Sequence, residues 1–395
     1  MNTDPILIKE LLERGVEDVF IKENLEKKLL SGKKLRVKLG IDPTGPKIHI
    51  GRAITLWKLR AFQDLGHQIV LIMGDFTAQV GDASDKLSKR PTLSIDVIKE
   101  NMKDYKSQIG KILDISKVEF TYNSQWLSKL GFQEIIALAE SFSVQQMSNR
   151  RNFAERFEKG EEVSLGEFLY PLMQGYDSVA VKADVEIGGF DQLFNLKAGR
   201  IIQKHYGQPE QDIMVFKMLE GTDGRKMSTS WGNVITITDE PNDMFGKVMS
   251  VKDELIVKYF LLCTKISLSE IEVIKKELEN GTNPKDVKIQ LAKEIVTLYH
   301  GKEMAQKAEE DFENTFKKGG IPEDTKEVLV NKGESLSKIF LEQGIVKSKG
   351  ELRRLMEEGA VKEVDGGIIN DFEYIINKNL TLRVGKRRFI KIKVD

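Results

Sequence analysis

The sequence predicts an α/β fold: a doubly wound parallel sheet in the N-terminal part, then an α-helical domain and a small C-terminal α+β domain. Three observations predict it. Apolar runs of strand length (Val37 to Ile41, His67 to Met73, Val118 to Tyr122, Asp184 to Gly189, Met214 to Leu219) alternate with segments of helical periodicity, as in consecutive βαβ units. Polar and glycine-rich clusters follow those runs, where parallel sheets place their ligands. Beyond residue 226 the pattern turns helical, and strand-like runs return only near the C-terminus.

Taken in order, residues 5 to 31 carry leucines and isoleucines at broadly helical intervals, with Gly15 and Gly32 as breaks, and predict an N-terminal helical arm. Val37, Leu39 and Ile41 alternate with Lys38 and Gly40 as a strand does. The turn Gly40 to Arg52 (GIDPTGPKIHIGR) then delivers the chain to a helix on which Ile50, Ile54, Trp57, Ala61 and Leu65 recur until Gly66. Backbone N–H groups at such a helix start, aided by the dipole, suit phosphate. His67 to Met73 is continuously apolar, as in a strand buried on both faces. Ile95 to Leu113 and Gly131 to Arg156 read as helical, and Tyr170, Gln174 and Asp177 fall on one face of a further helix. Asp191 and Gln192 open the helix after the Gly188-Gly189 turn.

The loop Gly221 to Ser230 is small-residue and hydroxyl-rich, with Arg225 and Lys226 adjacent, and reads as an anion-gripping loop. Ser267 and Glu270 form a capping box, and Asn283-Pro284 starts another helix. A charged, linker-like stretch follows Gly319. In the tail, two short helices and the strands Ala360 to Val364, Leu380 to Val384 and Phe389 to Val394 are expected. Seven basic side chains against one acid between 378 and 395 suggest a nucleic-acid backbone contact. The expected domains are therefore residues 1–225, 226–325 and 334–395.

Composition sets outer limits. A chain of 395 residues exceeds the roughly 250 to 300 that one core supports. Lys+Arg and Asp+Glu are both 61, so net charge points to no polyanionic partner. Cys263 is the only cysteine, which excludes an internal disulfide and argues against a Cys-rich zinc site. The first residues lack the basic and apolar regions of a secretory leader, and no run has bilayer-spanning length; a cytoplasmic protein is expected.

His49-Ile50-Gly51-Arg52 after a first strand, with Lys226-Met227-Ser228-Thr229-Ser230 closing the α/β part, resembles the paired HIGH and KMSKS signatures of class I aminoacyl-tRNA synthetases. The nearest likeness is to the bacterial tyrosyl-tRNA synthetases. Their Gly-Phe-Asp-Pro-Thr run is similar to Gly40 to Thr44, their Gly-Asp-Pro-Ser loop to Gly81 to Ser84, their Tyr-x-x-x-Gln-x-x-Asp helix to Tyr170, Gln174 and Asp177, and their Gly-Gly-x-Asp-Gln turn to Gly188 to Gln192. The tail resembles their S4-type RNA-binding module.

This resemblance implies a Rossmann-like catalytic domain, an anticodon-binding helical domain and an S4-like domain. It implies a tyrosine–tRNA ligase: tyrosine and ATP (with Mg²⁺ carried by the nucleotide and no protein-only metal site) give tyrosyl adenylate, and the tyrosine is transferred to tRNA(Tyr) by a homodimer. Thr44 and His49 would contact the ATP phosphates, while Lys86, Arg90 and Lys226 would hold the departing pyrophosphate. Gly51 would leave room for adenine; Asp191 would bind the ribose near Thr55, and Arg52, Met227, Ser228, Thr229 and Ser230 complete the implied ATP side. For tyrosine, Asp82, Tyr170 and Gln174 would take the ammonium and Asp177 the phenol, with Lys38, Asp42 and Gln192 in the same pocket. Lys349, Arg353, Arg354, Lys386, Arg387 and Arg388 would meet RNA.

Departures are visible. Arg52 stands where the family has His or Asn, Lys38 where many members have a tyrosine, Thr229 in place of a lysine, and Ala83 and Asp85 break the Gly-Asp-Pro-Ser-Gly pattern. Taken singly, the lysine loop reads as well as a solvated loop, the Tyr170 helix as an amphipathic face and the tail as a solvated edge strand. Their order and joint occurrence favour the ligase. Three alternatives stay open: a tryptophan-specific relative, a small nucleotidyltransferase with a His-x-Gly-His turn, and a tRNA-binding paralogue that has lost catalysis.

Overall fold

In the computed structural model, which describes residues 1–82, 93–317, 325–364, 366–385 and 388–394, six strands form one sheet in the order β1-β6-β5-β2-β3-β4. They are β1 (Val16–Phe20), β2 (Arg36–Ile41), β3 (Gln68–Met73), β4 (Val118–Tyr122), β5 (Val185–Gly189) and β6 (Asp212–Phe216). Strands β2 to β6 are parallel, with Arg36 to Ile41 in register against Gln68 to Met73. From β2 the chain winds outward through β3 and β4, then returns to build β5 and β6 on the other side. The winding reverses between β2 and β5, which creates the crevice where doubly wound sheets take ligands. The α/β doubly wound fold expected from the sequence is present.

Packing explains the order of elements. Five of the six residues of β3 are buried, as the continuous apolar run requires of a central strand. The crossover helix Ile50–Asp64 buries Ile50, Ala53, Ile54, Leu56, Leu59 and Phe62. Each large aliphatic or aromatic side chain withdrawn from water there contributes about 1.5–3 kcal/mol, so this face holds the helix start firmly at the end of β2.

Three expectations need correction. Residues 5 to 31 are not a continuous helical arm: helices Pro5–Glu13 and Lys22–Leu30 flank β1, which pairs antiparallel with β6 at the sheet edge. Only Val19 of β1 is fully buried, so an edge strand with one inward side chain was hidden by the leucine spacing around it. The strand expected at Met214 to Leu219 lies at Asp212–Phe216, and Gly131 to Arg156 is divided into helices Phe132–Ala139, Val144–Ser148 and Arg151–Glu158.

The chain divides into two compact units, Met1–Asp239 with Val251–Val287 and Glu240–Ser250 with Lys288–Asp395. Residues 226–239 stay with the first unit, where Ile50 N donates to Ile235 O at 2.8 Å and Ile237 N to Ile48 O at 3.0 Å. Arg14 also grips the carbonyls of Leu261, Thr264 and Ile266 at 3.2, 2.7 and 2.6 Å, holding the end of helix Ile256–Cys263 to the same unit.

In the second unit, helices Pro241–Met249 and Lys302–Lys317 pack through Phe245 and Phe312, whose rings lie 5.4 Å apart. A four-stranded sheet, β7 (Lys326–Val330), β10 (Arg388–Val394), β9 (Leu380–Val384) and β8 (Val361–Glu363) in spatial order, covers a core that includes Leu336, Phe340, Leu352 and Ile390. Strand β7 lies inside the stretch expected to be linker; its parallel pairing with β10 joins residues 64 positions apart, Lys326 to Ile390, which local pattern does not reveal. Among the described residues no helix is long and apolar enough to cross a membrane.

Candidate active site

At the sheet crevice in the first unit lies a cavity of about 840 Å³. His49 sits on its wall as the N-cap of helix Ile50–Asp64, and its Nδ1 accepts the backbone N–H of Arg52 at 3.3 Å. With Nδ1 occupied as an acceptor, a neutral imidazole carries its proton on Nε2. Burial, reinforced by the charges of Arg52 and Lys226, lowers the His49 pKa to about 3. The ring is therefore a neutral donor at ordinary pH. Arg52 reaches back over the preceding turn, its Nη2 donating to Thr44 Oγ1 at 2.8 Å, and Thr55 Oγ1 donates to the Arg52 carbonyl at 2.8 Å. Gly51 sits in a crowded spot: a Cβ there would lie 3.1 Å from His49 Nδ1 and 3.3 Å from the sulfur of Met227.

A second cluster is acidic. Asp42, just past β2, accepts from Thr77 Oγ1 at 2.7 Å and from the Tyr170 hydroxyl at 2.8 Å. Gly74 lets it approach, since a Cβ there would fall 2.0 Å from Asp42 Oδ1. Burial, then the charges of Asp42 and Asp82, push the Tyr170 pKa well above its usual value, so the phenol stays protonated. Asp82 accepts from Gln192 Nε2 at 2.6 Å and Asn195 Nδ2 at 3.4 Å. Two carboxylates beside one neutral hydroxyl suit a small cation.

Deeper in the cavity, Asp177 projects from helix Leu165–Ala180, one face of which it shares with Tyr170 and Gln174. It is 3% exposed, and Trp126 Nε1 and Asn123 Nδ2 donate to its two oxygens at 2.8 and 3.3 Å. Burial raises its pKa to about 7, opposed by the charge of Lys38 and by both hydrogen bonds. Asn123 Nδ2 also donates to Thr77 Oγ1 at 3.0 Å, so the chain Asp177, Asn123, Thr77, Asp42, Tyr170 is linked along the crevice.

The opposite wall is the lysine loop. Lys226, Met227, Ser228 and Thr229 line the same cavity as His49, and Lys226 Nζ lies 3.7 Å from Asp191 Oδ2. Asn233 ties the loop together: its Nδ2 donates to Asp223 Oδ1 and the Lys226 carbonyl at 2.8 and 3.0 Å, and its Oδ1 accepts from Ser228 N at 2.8 Å. The Arg225 guanidinium lies 4.9 Å from the ring of Trp231.

Nearly all the residues expected at the site thus meet in one cavity: Thr44, His49, Gly51, Arg52, Thr55, Asp191 and Lys226 to Thr229 towards the helix start and loop, and Asp42, Asp82, Tyr170, Gln174, Asp177 and Gln192 towards the crevice. Lys38 is a correction. Its side chain is fully buried beneath the site and does not line the cavity, because Glu186 draws Nζ into the protein at 2.9 Å. Ser230 falls in the 3-10 turn Thr229–Trp231. Lys86, Arg90, Lys386 and Arg387 lie outside the described residues.

In the second unit, Lys349, Arg353 and Arg354 share helix Lys349–Glu357, with the Arg353 guanidinium 5.0 Å from the Phe372 ring. Arg388, at the start of β10, is brought beside that helix by Glu351 at 3.0 Å and by the Ile345 carbonyl. Sequence reading missed Thr77, Asn123, Trp126, Glu186 and Asn195. Asn123 and Trp126 follow β4 directly, and that strand-end position was the available signal.

Comparison with known proteins agrees with this geometry. Residues 30–317 match the family model described as tRNA synthetases class I (W and Y). The chain is 46% identical over 398 residues to the tyrosine–tRNA ligase of Carboxydothermus hydrogenoformans, covering 97% of each chain. It is 45% identical over 387 residues to that of Thermotoga maritima, covering 97% of this chain and 96% of the relative. Among solved structures, a C-terminally truncated mitochondrial tyrosyl-tRNA synthetase from Aspergillus nidulans superposes with a TM-score of 0.64 at 22% identity, over 78% of this chain and 94% of that one. The Archaeoglobus fulgidus tyrosyl-tRNA synthetase, complexed with L-tyrosine, gives 0.61 at 22% identity over 78% and 100%. These two structures bear on the fold. Fold, cavity and full-length similarity agree: the chain belongs to the class I tRNA synthetases of the W and Y group, among the bacterial tyrosine–tRNA ligases.

Proposed function

We propose that this chain activates tyrosine with ATP and transfers it to tRNA(Tyr). The observation that carries the reading is a single cavity lined by His49, Lys226 and Asp177. Tyrosine lies with its phenol at Asp177 and its ammonium among Asp42, Asp82, Tyr170 and Gln174, with Gln192 bracing Asp82. A substrate without the hydroxyl leaves the buried Asp177 acceptor facing an apolar edge, which costs about 1–3 kcal/mol or more for a charged group. The substrate carboxylate attacks the α-phosphorus of ATP; the bond to the bridging oxygen breaks and pyrophosphate leaves. No covalent enzyme intermediate is needed, so catalysis rests on placement and on stabilising charge. The Nε2–H of His49, with Thr44 and Arg52, meets the phosphates; Lys226 meets the departing pyrophosphate, with Lys86 and Arg90 as further cations; Asp191 and Thr55 take the ribose side, and the Met227 to Ser230 segment covers the nucleotide. Gly51 keeps the helix start open. Mg²⁺ enters bound to ATP.

The tRNA is held by the second unit, with Lys349, Arg353, Arg354, Lys386, Arg387 and Arg388 on its backbone. The enzyme works in the cytoplasm as a homodimer. Phe132, Val144 and Leu165, which are 78%, 72% and 83% exposed, support a subunit contact in the first unit. Exchange of pyrophosphate into ATP, run with tyrosine, tryptophan and phenylalanine in parallel, tests the reading: exchange with tyrosine alone supports it. Exchange with tryptophan, or none with any of the three, overturns it.

A further inference from the structure

Beneath the cavity floor lies a charged pair for which the reaction itself has no use. Lys38 and Glu186 face each other at 2.9 Å with side chains 0% and 1% exposed. Lys38 spends its other donors on the Gln174 carbonyl at 2.9 Å and on Ser178 Oγ at 2.8 Å. Glu186 Oε2 accepts from Ser178 Oγ at 3.1 Å and from Gln211 Nε2. Its Oε1 accepts a further hydrogen bond, from Gln174 Nε2 at 3.1 Å.

That last bond determines how Gln174 can act. An amide has a donating and an accepting end, and a carboxylate only accepts. Glu186 must take the NH2 end of Gln174, which leaves Oε1 as the end offered to the cavity that Gln174 lines. An acceptor suits an ammonium; an NH2 group there would repel it. Lys38 is the cation that faces Glu186 in the interior, where an uncompensated buried charge is strongly destabilising. We propose that Lys38 and Glu186 are positioning residues for the amino end of the substrate, fixing the Gln174 amide so that its carbonyl oxygen faces the ammonium. The proposal rests on the tyrosine-binding reading of the cavity.

The test uses the full-length protein and two ligands, tyrosine and 3-(4-hydroxyphenyl)propanoate, which keeps the phenol and carboxylate and lacks the ammonium. Dissociation constants are measured by calorimetry for the wild type, for Lys38→Met/Glu186→Leu, which removes both charges together, and for Glu186→Gln, which keeps the volume and admits either amide orientation. In the double variant tyrosine affinity is expected to fall about tenfold, as for one hydrogen bond to a charged group, with the deamino ligand within about twofold of wild type. Glu186→Gln shifts the two ligands in the same selective way, and it alone gives the reading should the double variant fail to fold. Equal losses for both ligands, or no loss for tyrosine, overturn the proposal. A wild-type protein that binds the two ligands alike overturns the tyrosine pocket itself, and the proposal with it.

Discussion

Trp126 Nε1 donates to Asp177 Oδ1 at 2.8 Å at the deep end of a cavity whose other members come from different strands and helices. Burial raises the Asp177 pKa from 3.8 to about 7 against this bond and the Lys38 charge. The ionised form is the one that accepts a phenol hydrogen. Tyrosine binding should weaken by up to about tenfold for each pH unit below 7 and level off above it, and Asp177→Asn should flatten the profile. Because the folded pKa lies above the unfolded one, Asp177 favours the fold at low pH, and that contribution disappears as pH rises from about 4 through about 7. Titrating tyrosine affinity by calorimetry checks the first statement; a flat wild-type profile contradicts it.

His49 caps its helix and, on the proposed reading, also donates to the phosphates. His49→Ala should cost about 1 kcal/mol through the lost N-cap. It should also slow tyrosine activation by roughly 10² to 10³, the usual effect of removing one transition-state donor, with KM for tyrosine little changed. His49→Asn, a good cap, should restore stability without full recovery of the rate. With its pKa depressed to about 3, His49 contributes stability above pH 6.5 that is lost as pH falls towards 3, and it adds no inflection near neutrality to the activation rate. Thermal melts and single-turnover rates across pH check both parts.

Gly51→Ala separates folding from chemistry. Alanine is favoured over glycine in a helix interior by about 0.8–1.0 kcal/mol, but Gly51 lies in the first turn against the His49 cap, so that gain is offset and the melting temperature should change little. The new Cβ, 3.1 Å from His49 Nδ1 and 3.3 Å from the Met227 sulfur, should displace both and reduce activation by roughly 10- to 100-fold. A variant of normal activity would show that the glycine serves packing alone.

Removal of charge from the basic helix of the second unit should spare amino-acid activation. For Lys349→Ala, Arg353→Ala and Arg354→Ala, tRNA affinity should fall and the slope of log affinity against log salt should flatten by about 0.7–0.9 for each phosphate that is no longer neutralised. Pyrophosphate exchange should remain at the wild-type rate. Filter binding at several salt concentrations, beside the exchange assay, measures the two.

Leu165→Asp, at a side chain 83% exposed, should yield a monomer by light scattering while leaving the protein folded. An unchanged particle mass would place the subunit contact elsewhere.

Some of this was legible because local pattern carried it. The βαβ alternation, the His49 turn and the Tyr170, Gln174 and Asp177 helix declare themselves through spacing and turn residues, and the structure gathers them where β2 and β5 diverge. Strand β1 escaped because one buried valine leaves no period, and β7 because its partner lies at the far end of the chain. The residues around Asp177 escaped for another reason. Asn123 and Trp126 act through hydrogen bonds to a helix about fifty positions later, and nothing in their own neighbourhood marks the acceptor. Lys38 reads as the polar member of an alternating strand; only Glu186, supplied by the neighbouring strand β5, turns it inward.

The backbone bonds joining Ile48 and Ile50 to Ile235 and Ile237 have a mechanical corollary. The arc that carries Lys226 has both feet nailed down, one where Glu220 faces Lys226 and the other where Thr236 faces His49. Any bowing of that arc is borne by the few residues between, like a short handle riveted at each end. Lengthening the handle between 227 and 235 would let that stretch bow while Lys226 stays pinned beside Glu220, whereas prising out the far rivet would part Thr236 from His49 and leave the near one in place.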